Sequence, residues 1–101
     1  MLNSYRKGTD GEREVVEKLR EAGFDTAHRT GCYKHGDVLC AIDGHDRLIE
    51  IKREKRGRGG LWELLKTYWA VIHRGDREPW LITLELDEFL RLTEKETAAP
   101  F

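Results

Sequence analysis

The stretch that most constrains this chain is Gly36-Asp37-Val38-Leu39-Cys40-Ala41-Ile42, followed after a short gap by Leu48-Ile49-Glu50-Ile51-Lys52. Two runs rich in aliphatic residues flank Asp43-Gly44-His45-Asp46, a pattern that predicts a β-hairpin. A two-residue type II′ turn with Gly44 in its first position sets Asp37 opposite Lys52 and Leu39 opposite Glu50. Side chains alternate along a strand, so Asp37, Glu50 and Lys52 share one face while Val38, Cys40, Ile42, Ile49 and Ile51 collect on the other. A slip of one residue would separate Asp37 from its companions. Two readings fit three charged groups on such a face. One is a ladder of cross-strand ion pairs in contact with solvent. The other is a divalent-cation site, because Mg²⁺ takes oxygen ligands, draws one or two carboxylates from the protein and keeps several waters. A lysine beside such a cation can orient or deprotonate a water whose pKa the metal has already lowered.

A chain of 101 residues forms one domain, 1–101, with its core at about 5–92 and a tail at 93–101. Apolar residues make up 39% and charged residues 37%, so the core is thin and a partner chain would help cover it. The net charge of −1 hides an asymmetry. Lys52, Arg53, Lys55, Arg56 and Arg58 cluster against the single acid Glu54 just past the hairpin, whereas acids predominate after residue 76. Basic charge concentrated there points to a polyanionic partner. The two cysteines, Cys32 and Cys40, exclude a disulfide framework and a zinc quartet. Cys40 reads as a small buried hydrophobe and Cys32 as a loop thiol. Neither a signal peptide nor a membrane-length apolar run is visible, so a cytoplasmic location is expected.

Taken in order, the chain opens with a short basic arm containing Arg6 and Lys7. Thr9-Asp10-Gly11-Glu12 then has capping-box spacing. Val15, Val16, Leu19 and Ala22 follow at helical spacing, and Gly23 supplies a stop. Glu12 either caps this helix and answers its dipole or, lying on the apolar stripe, reaches a site at the sheet edge. Residues 24–29 predict a first strand, and Thr30 to His35 a polar loop in which Arg29, Lys34 and His35 surround the approach to Asp37. Leu61, Leu64, Leu65, Tyr68 and Ile72 predict a second amphipathic helix that ends at Gly75. On that helix Trp62, Trp69 and His73 would form a second stripe, either core or subunit interface, and Lys66 would face the site. Residues 79–84 predict a buried strand, and Asp87 caps a short helix over 88–92. The expected order is α-β-β-β-α-β with a parallel crossover.

These elements, with Asp37 followed by Glu50-Ile51-Lys52, resemble the αβββαβ core of the PD-(D/E)xK nuclease superfamily, a restriction-endonuclease-like α/β fold with a mixed sheet flanked by helices. The run Tyr5-Arg6-Lys7-Gly8-Thr9-Asp10-Gly11-Glu12-Arg13-Glu14, together with Arg29-Thr30-Gly31, is similar to the archaeal-type Holliday junction resolvases that some phages also carry. Gly36 stands where many members have proline, and Gly31-Cys32 lacks a serine found there in the family. The resemblance implies a homodimeric endodeoxyribonuclease of a prokaryotic or phage-infected cell. It would use Mg²⁺, with Mn²⁺ able to substitute, to nick two strands of a four-way DNA junction. Carried over residue by residue, Asp37 and Glu50 would hold the metal, with the backbone carbonyl of Ile51 and with Glu12 through water. Lys52 would serve the nucleophile or the scissile phosphate. Arg13 and Arg29 would match the family's basic residues, and Arg6, Lys7, Lys34, Arg53, Lys55, Arg56, Arg58 and Lys66 would contact DNA. A related nuclease acting on other branched or nicked DNA, or a DNA-binding module without catalysis, are the alternatives.

Overall fold

A computed structural model describes residues 4–30, 37–53 and 60–94, with the side chains of 4–9 outside that description. The fold is mixed α/β: one five-stranded sheet with three helices. The helices are α1 (Ser4–Glu21), α2 (Leu61–Leu65) and α3 (Leu86–Leu92). The strands are β1 (His28–Arg29), β2 (Asp37–Ile42), β3 (His45–Arg53), β4 (Ala70–Arg74) and β5 (Leu81–Thr83), and they lie in the sheet in their sequence order. All neighbours are antiparallel except β3 and β4, which run parallel through the crossover that contains α2.

The α1 helix turns Val15 and Val16 onto one face of the sheet, where they meet Val38, Cys40, Ile49, Ile51 and Ile72. Each such aliphatic side chain contributes about 1.5–3 kcal/mol on full burial, which makes this layer the principal apolar store of a small domain. Burial raises the Cys40 thiol above its ordinary range, in keeping with a small hydrophobe. Helix α1 closes as expected. Gly23 adopts φ 106°, the Phe24 amide reaches the Leu19 carbonyl at 2.9 Å and the Gly23 amide reaches that of Arg20 at 3.0 Å, which together form a Schellman motif. The start of α1 corrects the expected cap. The helix begins at Ser4, so Thr9 and Glu12 are interior residues and form no capping box. Packing overrides the local signal: Gly11 is buried against Arg53, where an added Cβ would come within 3.0 Å of Cγ.

Four further expectations are revised. The β2–β3 turn is centred on Asp43-Gly44, whose φ values of 57° and 80° fit type I′. Asp37 therefore faces Glu50 rather than Lys52, and Ile42 faces His45. Type I′ matches the right-handed twist of the strands and Asp-Gly is well suited to it. The register shift is two residues, an even number, so Asp37, Glu50 and Lys52 keep their common face. The second helix stops at Leu65, and Ala70–Arg74, expected to be its last turns, is instead the parallel strand β4. Ala70, Val71, Ile72 and His73 are all buried, as a strand covered on both faces requires; a short apolar run of this kind has no periodicity that separates helix from strand. The Trp62–Trp69–His73 stripe consequently does not exist. Trp62 is exposed on α2, Trp69 precedes β4 and His73 lies within it. The expected buried strand at 79–84 shrinks to β5, a sheet edge whose Leu81 and Ile82 are exposed. The strand at 24–29 shrinks to two residues, and α3 begins at Leu86 after Glu85, two residues before the expected start and without a cap from Asp87.

Polar contacts hold α3 at the hairpin tip. Arg91 Nη1 donates to Asp43 Oδ2 at 2.9 Å, and Trp69 Nε1 donates to Glu88 Oε2 at 2.7 Å. Hydrogen bonds from Arg91 and Trp69 hold the Glu88 carboxyl down at about 2.

Candidate metal centre

The candidate site lies at the open end of the β2–β3 hairpin, away from the Asp43-Gly44 turn. Asp37 is the first residue of β2 and pairs directly with Glu50 in the middle of the central strand β3. Directly opposed side chains in an antiparallel pair stand roughly 5 Å apart at Cβ, which places two carboxylates side by side. Glu50 is buried at 7% exposure, while Lys52, two residues on, keeps its side chain 39% exposed with Nζ 3.4 Å from Glu50 Oε2. Glu50 Oε1 is buried and has no hydrogen-bond partner. Such an orphaned acceptor carries the full cost of lost hydration. Burial first, and then the neighbouring Asp37, lift the Glu50 carboxyl to about 7, with Lys52 opposing the shift.

Tyr68, between α2 and β4, donates its hydroxyl to Asp37 Oδ1 at 2.9 Å. Burial and the two carboxylates push the Tyr68 hydroxyl up, so it keeps its proton and acts as a donor. Sequence reasoning missed this residue because it placed Tyr68 on a continuous helix. On the far side of Lys52 in the parallel register stands His73, buried and 2.8 Å from Thr83 Oγ1.

The other site candidates separate into groups. Glu12 is buried in α1 and accepts a 2.8 Å bond from Arg29 Nε. Arg29 pairs with Val38 in the sheet, which puts both on the α1 side, opposite to the face of Asp37 and Glu50. Among the described residues no group of three or more His, Cys, Asp or Glu comes together as a metal cage. The structure thus gathers two carboxylates and a lysine, with Glu12 apart. The side chain of Ile51 belongs to the apolar core. Arg13 is exposed on α1. Arg53, expected to grip DNA, is instead largely buried, with Nη2 3.2 Å from Asp76 Oδ1; alternation along β3 turns it to the α1 side. Lys66 does not face the carboxylates. It lies 3.3 Å from Glu63 and 5.7 Å from the centre of the Trp62 ring. Arg6 and Lys7 fall within the first turns of α1, and their side chains lie outside the described residues, as do Lys34, His35, Lys55, Arg56 and Arg58.

The donor set fits a hard divalent cation. Two carboxylates, one of them with an unanswered buried oxygen, match the one or two that Mg²⁺ draws from a protein while waters complete its shell. Comparison with protein-family models, with curated proteins and with solved structures finds no match to this chain. No helix among the described residues is long and apolar enough to cross a membrane.

Proposed function

We propose that this protein is a divalent-metal-dependent endodeoxyribonuclease that resolves four-way DNA junctions as a homodimer. The observation that carries the reading is the Asp37–Glu50 pair, with Glu50 Oε1 buried and unpartnered and Lys52 Nζ 3.4 Å away. Asp37 and Glu50 would hold Mg²⁺, joined through the resemblance by the Ile51 carbonyl, while Glu12, paired with Arg29 on the α1 side of the sheet, would stand apart from the cation. When bound, the cation polarises the phosphodiester and lowers the pKa of water. As an ammonium, Lys52 supplies a positive charge at the mouth of the site that would neutralise a phosphate oxygen; as the neutral amine it would take up the proton of the attacking water. Lys55, Arg56 and Arg58, which follow Lys52 in the sequence, would contact backbone phosphates without reading sequence.

The homodimer draws support from the distribution of apolar surface. Leu81, Ile82, Leu86, Phe89 and Leu90 are all exposed within one short segment of β5 and α3. Large apolar side chains exposed in this number suit burial against a second copy of the chain, and a two-fold pairing would present two active sites to two strands of a junction.

The test is cleavage of a synthetic four-way junction and of a linear duplex of equal length, each with Mg²⁺ and with chelator. Paired symmetric nicks confined to the junction and dependent on Mg²⁺ are expected. Asp37→Ala is expected to abolish cleavage while junction binding survives. Equal cutting of both substrates would indicate a nuclease of broader structural preference, and tight binding without cleavage at any metal concentration a non-catalytic DNA-binding module.

A further inference from the structure

We infer that Tyr68 is the positioning residue that presents Asp37 to a divalent cation, an inference that rests on the metal-site reading above. The Asp37 backbone is held by its pairing with Glu50 and by the Thr30 amide, 3.4 Å from its carbonyl; the side chain is held by the phenol of Tyr68. The phenol that meets it is firmly mounted. The Tyr68 amide bonds to the Leu64 carbonyl at 2.8 Å, and the amide of Trp69 bonds to the Leu48 carbonyl of β3 at 2.9 Å. Tyr68 is thereby tied both to the end of α2 and to the strand that carries Glu50.

The hydroxyl has one proton to give, and it gives it to Oδ1. That bond removes the free rotation of the carboxylate and leaves the second oxygen as the donor for a cation. It also spreads negative charge away from Glu50, which faces Asp37 across the ladder and whose own Oε1 has no donor. Groups that hold metal ligands by hydrogen bonds in this way typically contribute a factor of about 10–100 in metal affinity. Phenylalanine preserves the ring and its packing and deletes only this bond.

The experiment is titration calorimetry of Mn²⁺ into the full chain without DNA, comparing the wild type with Asp37→Ala and Tyr68→Phe, with circular dichroism on each to verify the fold. The wild type is expected to bind and Asp37→Ala to fail. Tyr68→Phe is expected to bind roughly tenfold or more weakly, with the Mg²⁺ concentration for half-maximal junction cleavage rising by the same factor. A purely structural tyrosine would lower the melting temperature and leave the affinity unchanged, and that result overturns the inference while the metal site stands. Tighter binding in Tyr68→Phe also overturns it, because the hydroxyl would then compete with the cation. Absence of Mn²⁺ binding in the wild type removes the metal site and this inference together. Weakened binding in Tyr68→Phe without junction cleavage by the wild type retains the inference and removes the nuclease.

Discussion

Ile49 and Glu50 are neighbours in β3, both are buried, and they face opposite sides of the sheet. Ile49 is fully enclosed among the α1 valines and its strand partner Val38. Glu50 is enclosed beside a second carboxylate, with one oxygen that no protein group answers. The first side of the hairpin encloses Val38, Cys40, Ile49 and Ile51. The second leaves a demand open, and sets an amine and a phenol around it. Among the described residues the other buried side-chain atoms without a partner, Arg53 Nε and Arg74 Nε, are donors; Glu50 Oε1 is the buried acceptor, and it stands where a cation would satisfy it.

The contrast is sharpest in substitution. Ile49→Ala should destabilise the fold by about 2–5 kcal/mol in urea unfolding while leaving the Asp37 and Glu50 carboxylates in place. Glu50→Ala should do the reverse: Mg²⁺-dependent cleavage is lost, and stability is held or raised because an unpaired buried acceptor is removed. A large stability loss in Glu50→Ala would make the two sides equivalent and break the comparison.

An intermediate effect is expected from pH. The folded-state carboxyl of Glu50 stands at about 7, above its ordinary value of 4.5, so between these values the folded state holds more proton than the unfolded state. Its contribution to metal-free stability is therefore complete below pH 4.5 and is lost as pH rises through 7. The loss is on the order of 3 kcal/mol. Thermal melting of the metal-free protein should show this decline, Glu50→Gln should flatten it, and Mg²⁺ should counter it above pH 7, because a metal binds the deprotonated carboxylate. Metal-free melting that rises across this window would reverse the sign and sink the argument.

The smallest effect concerns the turn that aligns the two sides. Gly44→Ala places a Cβ at φ 80° and should cost about 1 kcal/mol, with junction cleavage retained because the even register survives. Cleavage lost at unchanged stability would show that the register is less firmly set than the turn implies.

The sequence made the hairpin and its two-sided character legible, because period-two alternation is insensitive to a shift of two residues. The same insensitivity hid the register, and with it the direct opposition of Asp37 and Glu50. The Arg29–Glu12 pair was within reach of sequence reasoning only as two separate residues, since it depends on how α1 crosses the sheet. Residues 66–74 were misread because Leu64, Tyr68 and Ile72 happen to recur at helical spacing. What decides that segment is the parallel ladder to Ile49–Arg53, a long-range pairing without a local signature. Tyr68 was lost with it. The extra length of α1 was likewise not legible, because Thr9-Asp10-Gly11-Glu12 has the local spacing of a helix start and lies inside the helix instead.

Strand order has a kinetic consequence. Each strand lies beside the one synthesised before it, so on topology alone the sheet assembles through short loop closures, which favours fast folding. The hairpin that joins Asp37 to Glu50 closes through a two-residue turn, an event on the order of microseconds. The parallel step from β3 to β4 spans a longer connection and carries a higher closure entropy. That later step brings Tyr68 to Asp37. On this ordering the two carboxylates meet early, and the tyrosine that steadies them arrives only when the crossover docks.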